Sequence, residues 1–468
     1  MNLLRGVAVC LLAAGMTAWA EPAVADEAAL ADQRWTEDAF GLSFRPPAEA
    51  AHIEQTADGA IATFVAPDGF QLSVYIRRAS EPMNLDQLLA RSQQELSMLF
   101  SGIMLAGEEE AEGLRLAGRP GARLYFVVPA DRRRQREEFV IGQAFVQIDP
   151  FTAGQLMFEA DADDFDRARR LFEAVLETLE LEDPQVLDTR RAERIDAGQA
   201  FVDAVDFDAL RDAWVDRQQW YRITLGGENV GYMRRQVTRD TELGREGVRI
   251  VEHTRLFEED VVYDSESDYF ETDDGGTEVW SIRTTERARD AEEGRGGARG
   301  DARDGRGGGG GRGGGGGAGR ELGRRLEERV GIAGPDRRSW AETGLRHGRS
   351  VEVVREGPTR VEPKRWELRE HYLSQVRLRL LADSIAAHDG ELAFYSYQSN
   401  AGRLALSTWR VEADDDGGRI VYERPAPDAA ERVAWYDDDG ELVRQRMGDG
   451  RMRVPASERE VMRIWGER

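Results

Sequence analysis

One cysteine, one lysine and five histidines in 468 residues leave this sequence short of the side chains on which most enzyme chemistry turns. Cys10 lies inside an apolar run near the N-terminus, so a chain that has lost that run has no disulfide, no thiolate metal site and no cysteine nucleophile. Lys364, preceded by Val361-Glu362-Pro363 and followed by Arg365, fits neither a phosphate-binding loop nor a Ser-x-x-Lys nucleophile. A Gly-x-Ser-x-Gly elbow is missing as well; Gly41-Leu42-Ser43 continues into Phe44-Arg45. The histidines His52, His253, His347, His371 and His388 do not pair with one another at helical or strand spacing. His253 stands near Glu258, Glu259 and Asp260, and His371 follows Glu367 and Glu370, but in so acidic a chain solvated strand faces explain both more simply than a metal does. After the first twenty residues no apolar run approaches the roughly 20 residues that a membrane-spanning helix needs.

What is present begins with an address. Met1 to Arg5 carry one positive charge, Gly6 to Met16 are uninterruptedly apolar, and Thr17-Ala18-Trp19-Ala20 offers small side chains at a cleavage exit. This pattern predicts a secretory signal peptide over residues 1–20, with the mature chain beginning at Glu21 and Ala23-Val24-Ala25 as a second exit. The expected location is periplasmic or secreted, with no transmembrane segment after cleavage. A net charge of -25 repels nucleic acid and anionic membrane surfaces on average, so nucleic acid is not an expected partner.

From Phe40 to Asp183 the apolar residues alternate as in strands, notably over Ile61 to Val65, Gln71 to Ile76, Arg123 to Val128, Glu138 to Ile148 and Gln155 to Phe158. Two helices interrupt them. Asn84 caps the first, whose apolar stripe is Leu85, Leu88, Leu89, Leu96 and Leu99; Asp163 or Asp164 opens the second, with Phe165, Ala168, Phe172, Val175 and Leu179 at helical spacing. The opening strand Phe40-Gly41-Leu42-Ser43-Phe44-Arg45-Pro46-Pro47, the helix start Leu85-Asp86-Gln87-Leu88, the turn Gly118-Arg119-Pro120-Gly121-Ala122 and the closing Asp164-Phe165 resemble the PsbP-like fold over residues 33–184. That resemblance implies a binding or assembly module, and since the family has no shared catalytic set, it carries over no active-site residue.

A charged helical connector is expected over residues 185–216, and a β-rich domain over residues 217–465. Trp220 to Leu225, Asn229 to Val237, Val248 to Phe257, Val261 to Phe270 and Glu278 to Thr285 read as a meander of long strands. Extended structure returns at Ser350 to Val354, a helix is expected near Tyr372 to His388, and five more strands run from Leu392 to Met447. Trp220-Tyr221, Gly231-Tyr232 and the ending Trp435-Tyr436-Asp437-Asp438-Asp439-Gly440 are similar to the curved half-barrels of exported lipoprotein carriers, which implies a concave apolar face for an acyl chain or a peptide. The insertion at residues 289–349 is rich in Gly and Arg between Gly294 and Arg320 and cannot bury enough apolar area to offset its ordering entropy, so it is expected to be disordered. Its Arg-Gly-Gly triplets, such as Arg306-Gly307-Gly308, have the form of RNA-binding boxes, but an exported acidic protein gives them little RNA to meet. Asp414-Asp415-Asp416-Gly417 and Asp437-Asp438-Asp439-Gly440 lack the alternating spacing of calcium loops and fit hairpin turns.

The sequence therefore predicts an α+β protein: an antiparallel-sheet PsbP-like domain, then a larger curved antiparallel sheet or half-barrel with one helix. No catalytic residue, metal ligand or cofactor motif is identified. The candidate ligand-binding residues are the strand aromatics Tyr232, Tyr263, Phe270, Trp280, Tyr395 and Trp409, whose rings give large contact area at small entropic cost; ordinary core packing explains the same pattern. The expected role is binding of a hydrophobic ligand such as a lipid, or of an envelope protein, on the curved sheet. The alternatives are an envelope enzyme with an unrecognised carboxylate site and a purely structural assembly protein.

Overall fold

The computed structural model describes residues 29–54, 60–79, 81–106, 114–131, 137–258, 261–288, 338–357, 361–368, 371–399 and 401–465. The expected signal peptide and the Gly/Arg-rich core of the insertion lie outside them. The chain divides into two compact units that meet at Glu193 and Arg194, with the short segment Ala426–Glu431 grouped with the first.

The first unit holds strands β1 (Trp35–Glu37), β2 (Leu42–Phe44), β3 (Ala51–Glu54), β4 (Ala62–Val65), β5 (Gln71–Arg78), β6 (Met104–Leu105), β7 (Arg115–Leu116), β8 (Arg119–Val128), β9 (Phe139–Asp149), β10 (Thr152–Asp161) and β11 (Glu180–Leu181). Its main sheet has the order β3-β4-β5-β10-β9-β8-β6, with β7 paired to β8, and β1, β2 and β11 form a small second sheet. The helix Leu85–Leu99 begins where Asn84 accepts a hydrogen bond from the Asp86 N–H, and it buries Leu89 and Leu96 against Leu124, Phe126, Ile141 and Phe145. The helix Phe165–Glu177 buries Phe172, Val175 and Leu176 with Tyr125, Val140, Ala144 and Phe158. Tyr125 alternates with Leu124 and Phe126, so the two helices cover opposite faces, and for that reason β8 and β9 are apolar on both. Gly142 lies across from Phe158, and a Cβ there would fall 2.0 Å from the Phe158 ring; only glycine admits that contact.

The second unit is one antiparallel meander with a single long-range join. Its strands are β12 (Gln218–Leu225), β13 (Glu228–Glu242), β14 (Arg245–Phe257), β15 (Val261–Thr272), β16 (Thr277–Ala288), β17 (Arg338–His347), β18 (Ser350–Glu356), β19 (Val361–Glu367), β20 (Gly390–Gln398), β21 (Arg403–Ala413), β22 (Arg419–Arg424), β23 (Arg432–Tyr436), β24 (Leu442–Arg446) and β25 (Met452–Ala456). They form a 14-stranded sheet running from β19 back to β12, across to β25, and back to β20. The two end strands, β19 and β20, are not hydrogen-bonded to each other, so the sheet is not a closed barrel. Side chains cross the seam instead: Lys364 Nζ donates to the Gly402 carbonyl at 3.4 Å, and Tyr397 Oη donates to Glu342 at 2.8 Å.

Helices fill much of the inner face. Trp214, at the end of the helix Phe207–Trp214, packs with Val376 and Leu380 of the helix Gln375–Leu380 against Val237, Ile250, Tyr269 and Trp280. Leu381 and Ile385 pack against Phe394, Trp409 and Val421 on the other arm. Contacts from consecutive short helices to both arms require the sheet to curl around them. The turns at Gly417 and Gly440 have the positive φ expected of Asp-Gly hairpins. Two elements differ from expectation. The end of the insertion, Arg338–His347, is strand β17 inside the sheet, and the helix anticipated near 372–388 is two short helices, Gln375–Leu380 and Ala382–Ala386.

Candidate functional site

Cross-strand partners share a face, so the register assigns each side chain of the second unit to the inner or outer surface. Tyr269 pairs with Trp280, and Trp280 with Gly344, on the inner face. The Trp280 ring lies over Gly344, where a Cβ would fall 2.0 Å from Cζ2. Trp280 Nε1 donates to Glu342 at 3.2 Å, and its ring is 5.2 Å from that of Tyr397. Trp409 is buried in the separate core of the other arm. Tyr263 lies opposite Leu256 near the far end of the inner face. Phe270, one residue beyond Tyr269, points to the outer face, where the Arg249 guanidinium sits 5.5 Å from its ring centroid. Tyr232 is also on the outer face, with its ring 5.5 Å from that of Trp465 in the C-terminal helix Glu458–Trp465. Tyr395 is half-buried on β20, and its backbone bonds with His371 and Leu373 bring that segment beside the strand. The six aromatics therefore do not form one surface.

What the inner face does bring together is charge. Glu271 and Glu278 are cross-strand neighbours, exposed by 1% and 0%. Arg346 reaches both, at 3.3 and 3.4 Å, while Arg377 lies 3.2 Å and Arg211 3.8 Å from Glu271. Glu278 also accepts the Gln375 N–H at 2.5 Å and the Tyr372 hydroxyl at 3.0 Å, so it holds the start of the helix Gln375–Leu380 against the sheet. Burial raises its carboxyl, Arg346 opposes this, Glu271 adds to it, and the result is a pKa of about 7. Glu342 is raised by burial despite its Tyr397, Trp280 and Arg355 partners. These acids are already engaged by donors of the same chain, which is the arrangement of a structural lock rather than of acids awaiting a substrate.

A second group lies further along. Arg235 Nη2 is 2.6 Å and Arg379 Nε 3.2 Å from Glu252, and the Arg379 guanidinium lies 3.6 Å from the Tyr269 ring centroid. Burial would raise the Glu252 carboxyl, but Arg379 and Arg235 overcome it and hold it down at about 2. Beside them Tyr221, Ile223 and Met233 form a buried apolar cluster with Leu256 and Leu442 against it, and no residue of the inner helices belongs to it.

Both sites escaped the sequence reading because acids are so frequent. The available signal was phase: Glu252 follows Val248 and Ile250, and Glu278 precedes Trp280 and Ile282, each at the two-residue spacing of a buried face. Elsewhere, His253 Nε2 is 2.6 Å from Asp264 and His371 Nδ1 is 2.8 Å from Gln199. Among the described residues no cluster of histidine, cysteine and acid side chains could hold a metal, and no helix is long and apolar enough to cross a membrane.

No family model matches the chain, and no curated protein matches it either. Among solved structures it is similar to the Saccharomyces cerevisiae Ran-binding protein Mog1p, at 11% identity and a TM-score of 0.27, over 34% of this chain and 99% of that one. It is also similar to a β-barrel-like protein of a domain of unknown function from Brucella abortus, at 12% identity and a TM-score of 0.26, over 51% of this chain and 95% of that one.

Proposed function

We propose that the chain is an exported envelope protein, without catalysis of its own, that binds a hydrophobic ligand on the inner face of the second unit. In this reading the first unit is a PsbP-like module for binding or assembly. The observation that carries the proposal is the apolar cluster of Tyr221, Ile223 and Met233, extended by Leu256 and Tyr263, on an inner face whose sheet is not closed. Helices give apolar side chains to the neighbouring cores but none to this one, beside which they place only the polar Arg379 and Asp383. Ligand pockets of this kind combine a mainly apolar wall with a few placed polar groups. The engaged state of Glu271, Glu278 and Glu342 favours binding over a carboxylate-based reaction.

Native mass spectrometry of the protein purified from its own envelope tests this reading. A mature chain lacking residues 1–20 and carrying a lipid-sized adduct is the expected result. A clean apo mass under conditions that preserve a control lipid complex, or a chain that retains its N-terminus, contradicts the corresponding part.

A further inference from the structure

Arg453 stands on β25 opposite Ile223 of β12 and Gln445 of β24. Its guanidinium lies 4.7 Å from the Tyr221 ring centroid, and Nη1 is 3.5 Å from the Met233 sulfur. Among the described residues no carboxylate forms an ion pair with it, its Nε is buried without a hydrogen-bond partner, and Gln445 Oε1 across the ladder is likewise unsatisfied. Burial, reinforced by Arg235 and opposed by Tyr221, Glu252 and Tyr436, lowers the hold of Arg453 on its proton. An arginine buried without an ion pair is expensive, because desolvating a guanidinium costs several kcal/mol unless a close anion compensates it.

The surroundings supply that anion only at a distance: Glu252 attracts Arg453 but forms its ion pairs with two other arginines. Arg235 and Arg379 share the single carboxylate of Glu252. Asp383, also near, has its carboxyl raised by burial in spite of Arg235 and Arg453, and among the described residues it forms no ion pair with either. Three guanidiniums thus face one firmly ionised carboxylate. The other wall is the apolar cluster of Tyr221, Ile223 and Met233, which leads along β14 and β15 to Leu256 and Tyr263.

We propose that the corner formed by Arg235, Arg379 and Arg453 binds the carboxylate or phosphate group of an anionic ligand, with Arg453 as its principal contact. The ligand's apolar part lies along Tyr221, Ile223, Met233 and Leu256, an extension that rests on the ligand-site reading above. Arginine suits this role because its planar fork matches both oxyanions and it stays charged in poorly hydrated surroundings.

The test is calorimetric titration of the full mature chain, stripped of bound lipid, with dodecanoate, dodecyl phosphate, dodecanol and inorganic phosphate, for the wild type and Arg453→Gln. Both anionic amphiphiles are expected to bind the wild type and to lose at least tenfold in affinity in Arg453→Gln, while dodecanol binds both proteins alike. Arg453→Gln removes a buried charge that forms no ion pair and is repelled by Arg235, so its melting temperature without ligand is expected to equal or exceed that of the wild type; that control separates lost binding from lost folding. Inorganic phosphate binding that depends on Arg453 supports a free anion as the source, whereas amphiphile binding without phosphate binding supports a lipid headgroup. Equal affinity for dodecanol and dodecanoate, unchanged by Arg453→Gln, overturns the anionic anchor but leaves the apolar site standing. Phosphate binding that depends on Arg453, with no amphiphile binding, keeps the anchor and overturns the apolar reading. No binding of any probe overturns both.

Discussion

Glu252→Gln is expected to lower the unfolding free energy of the second unit by about 3 kcal/mol at pH 7, within the range for removing one partner of a buried ion pair. The carboxylate is the shared counter-ion of Arg235 and Arg379, at 2.6 and 3.2 Å. A neutral amide leaves two guanidiniums facing each other on a face where Arg453 forms no ion pair and loses the attraction of Glu252 as well. The pH dependence gives an independent figure. The folded pKa of about 2 is depressed from 4.5, so the stabilisation is complete above pH 4.5 and is lost as pH falls toward 2. The size of that shift corresponds to about 3 kcal/mol. Urea unfolding followed by tryptophan fluorescence is the appropriate measurement, since all ten tryptophans except Trp19 and Trp35 belong to the second unit. A loss below about 1 kcal/mol, the scale of an exposed pair, would show that solvent screens the cluster.

Glu278 is expected to act in the opposite sense. Its folded pKa of about 7 lies above the ordinary 4.5, so its contribution is fully present below pH 4.5 and is lost as pH rises through 7. The wild type should therefore give up about 3 kcal/mol across this window on account of this one group. Glu278→Gln keeps an acceptor for the Gln375 N–H but cannot ionise, so its stability curve should be flatter. Relative to the wild type, the variant gains about 3 kcal/mol between pH 4.5 and pH 8. Unfolding measured at half-unit pH steps decides the matter. Parallel curves for the two proteins would mean that Arg346 and Tyr372 keep Glu278 ionised throughout, and the opposed burial and ion pairing would have to be weighed the other way.

The long strands of the second unit were legible because apolar residues recur at two-residue spacing, as in Val248, Ile250 and Leu256 or Trp280 and Ile282. The helices Leu85–Leu99 and Phe165–Glu177 were legible for the same kind of reason, with Asn84 as a recognisable cap of the first. Strand β17 was hidden because its inner face reads Trp340, Glu342, Gly344, Arg346: the glycine makes room for Trp280, Glu342 accepts from Trp280 and Tyr397, and Arg346 pairs with Glu271, all partners far away in sequence. Strand β19 carries Pro363, Lys364 and Arg365, residues that protect a free sheet edge and at the same time erase a strand signature. Strand β25 carries Arg453 and Pro455, and it pairs with β12 across the whole unit, a register that no local pattern encodes. The candidate site failed to appear for a related reason. A chain with 88 acidic residues gives no contrast by which Glu252, Glu271 or Glu278 would stand out, and only their shared phase with buried apolar neighbours marks them. The aromatics were visible but divide between the two faces, because Tyr232 and Phe270 are out of phase with Tyr263 and Trp280.

We propose that a ligand sits on the inner face near Tyr221, Met233 and Leu256. Photo-crosslinking with a diazirine-bearing fatty acid, followed by peptide mapping of the labelled protein, tests it most directly. The predicted result is labelling concentrated in β12, β13 and β14 and suppressed by excess dodecanoate. Labelling confined to the first unit, or to the outer-face residues Trp220, Tyr232 and Trp465, would contradict the account.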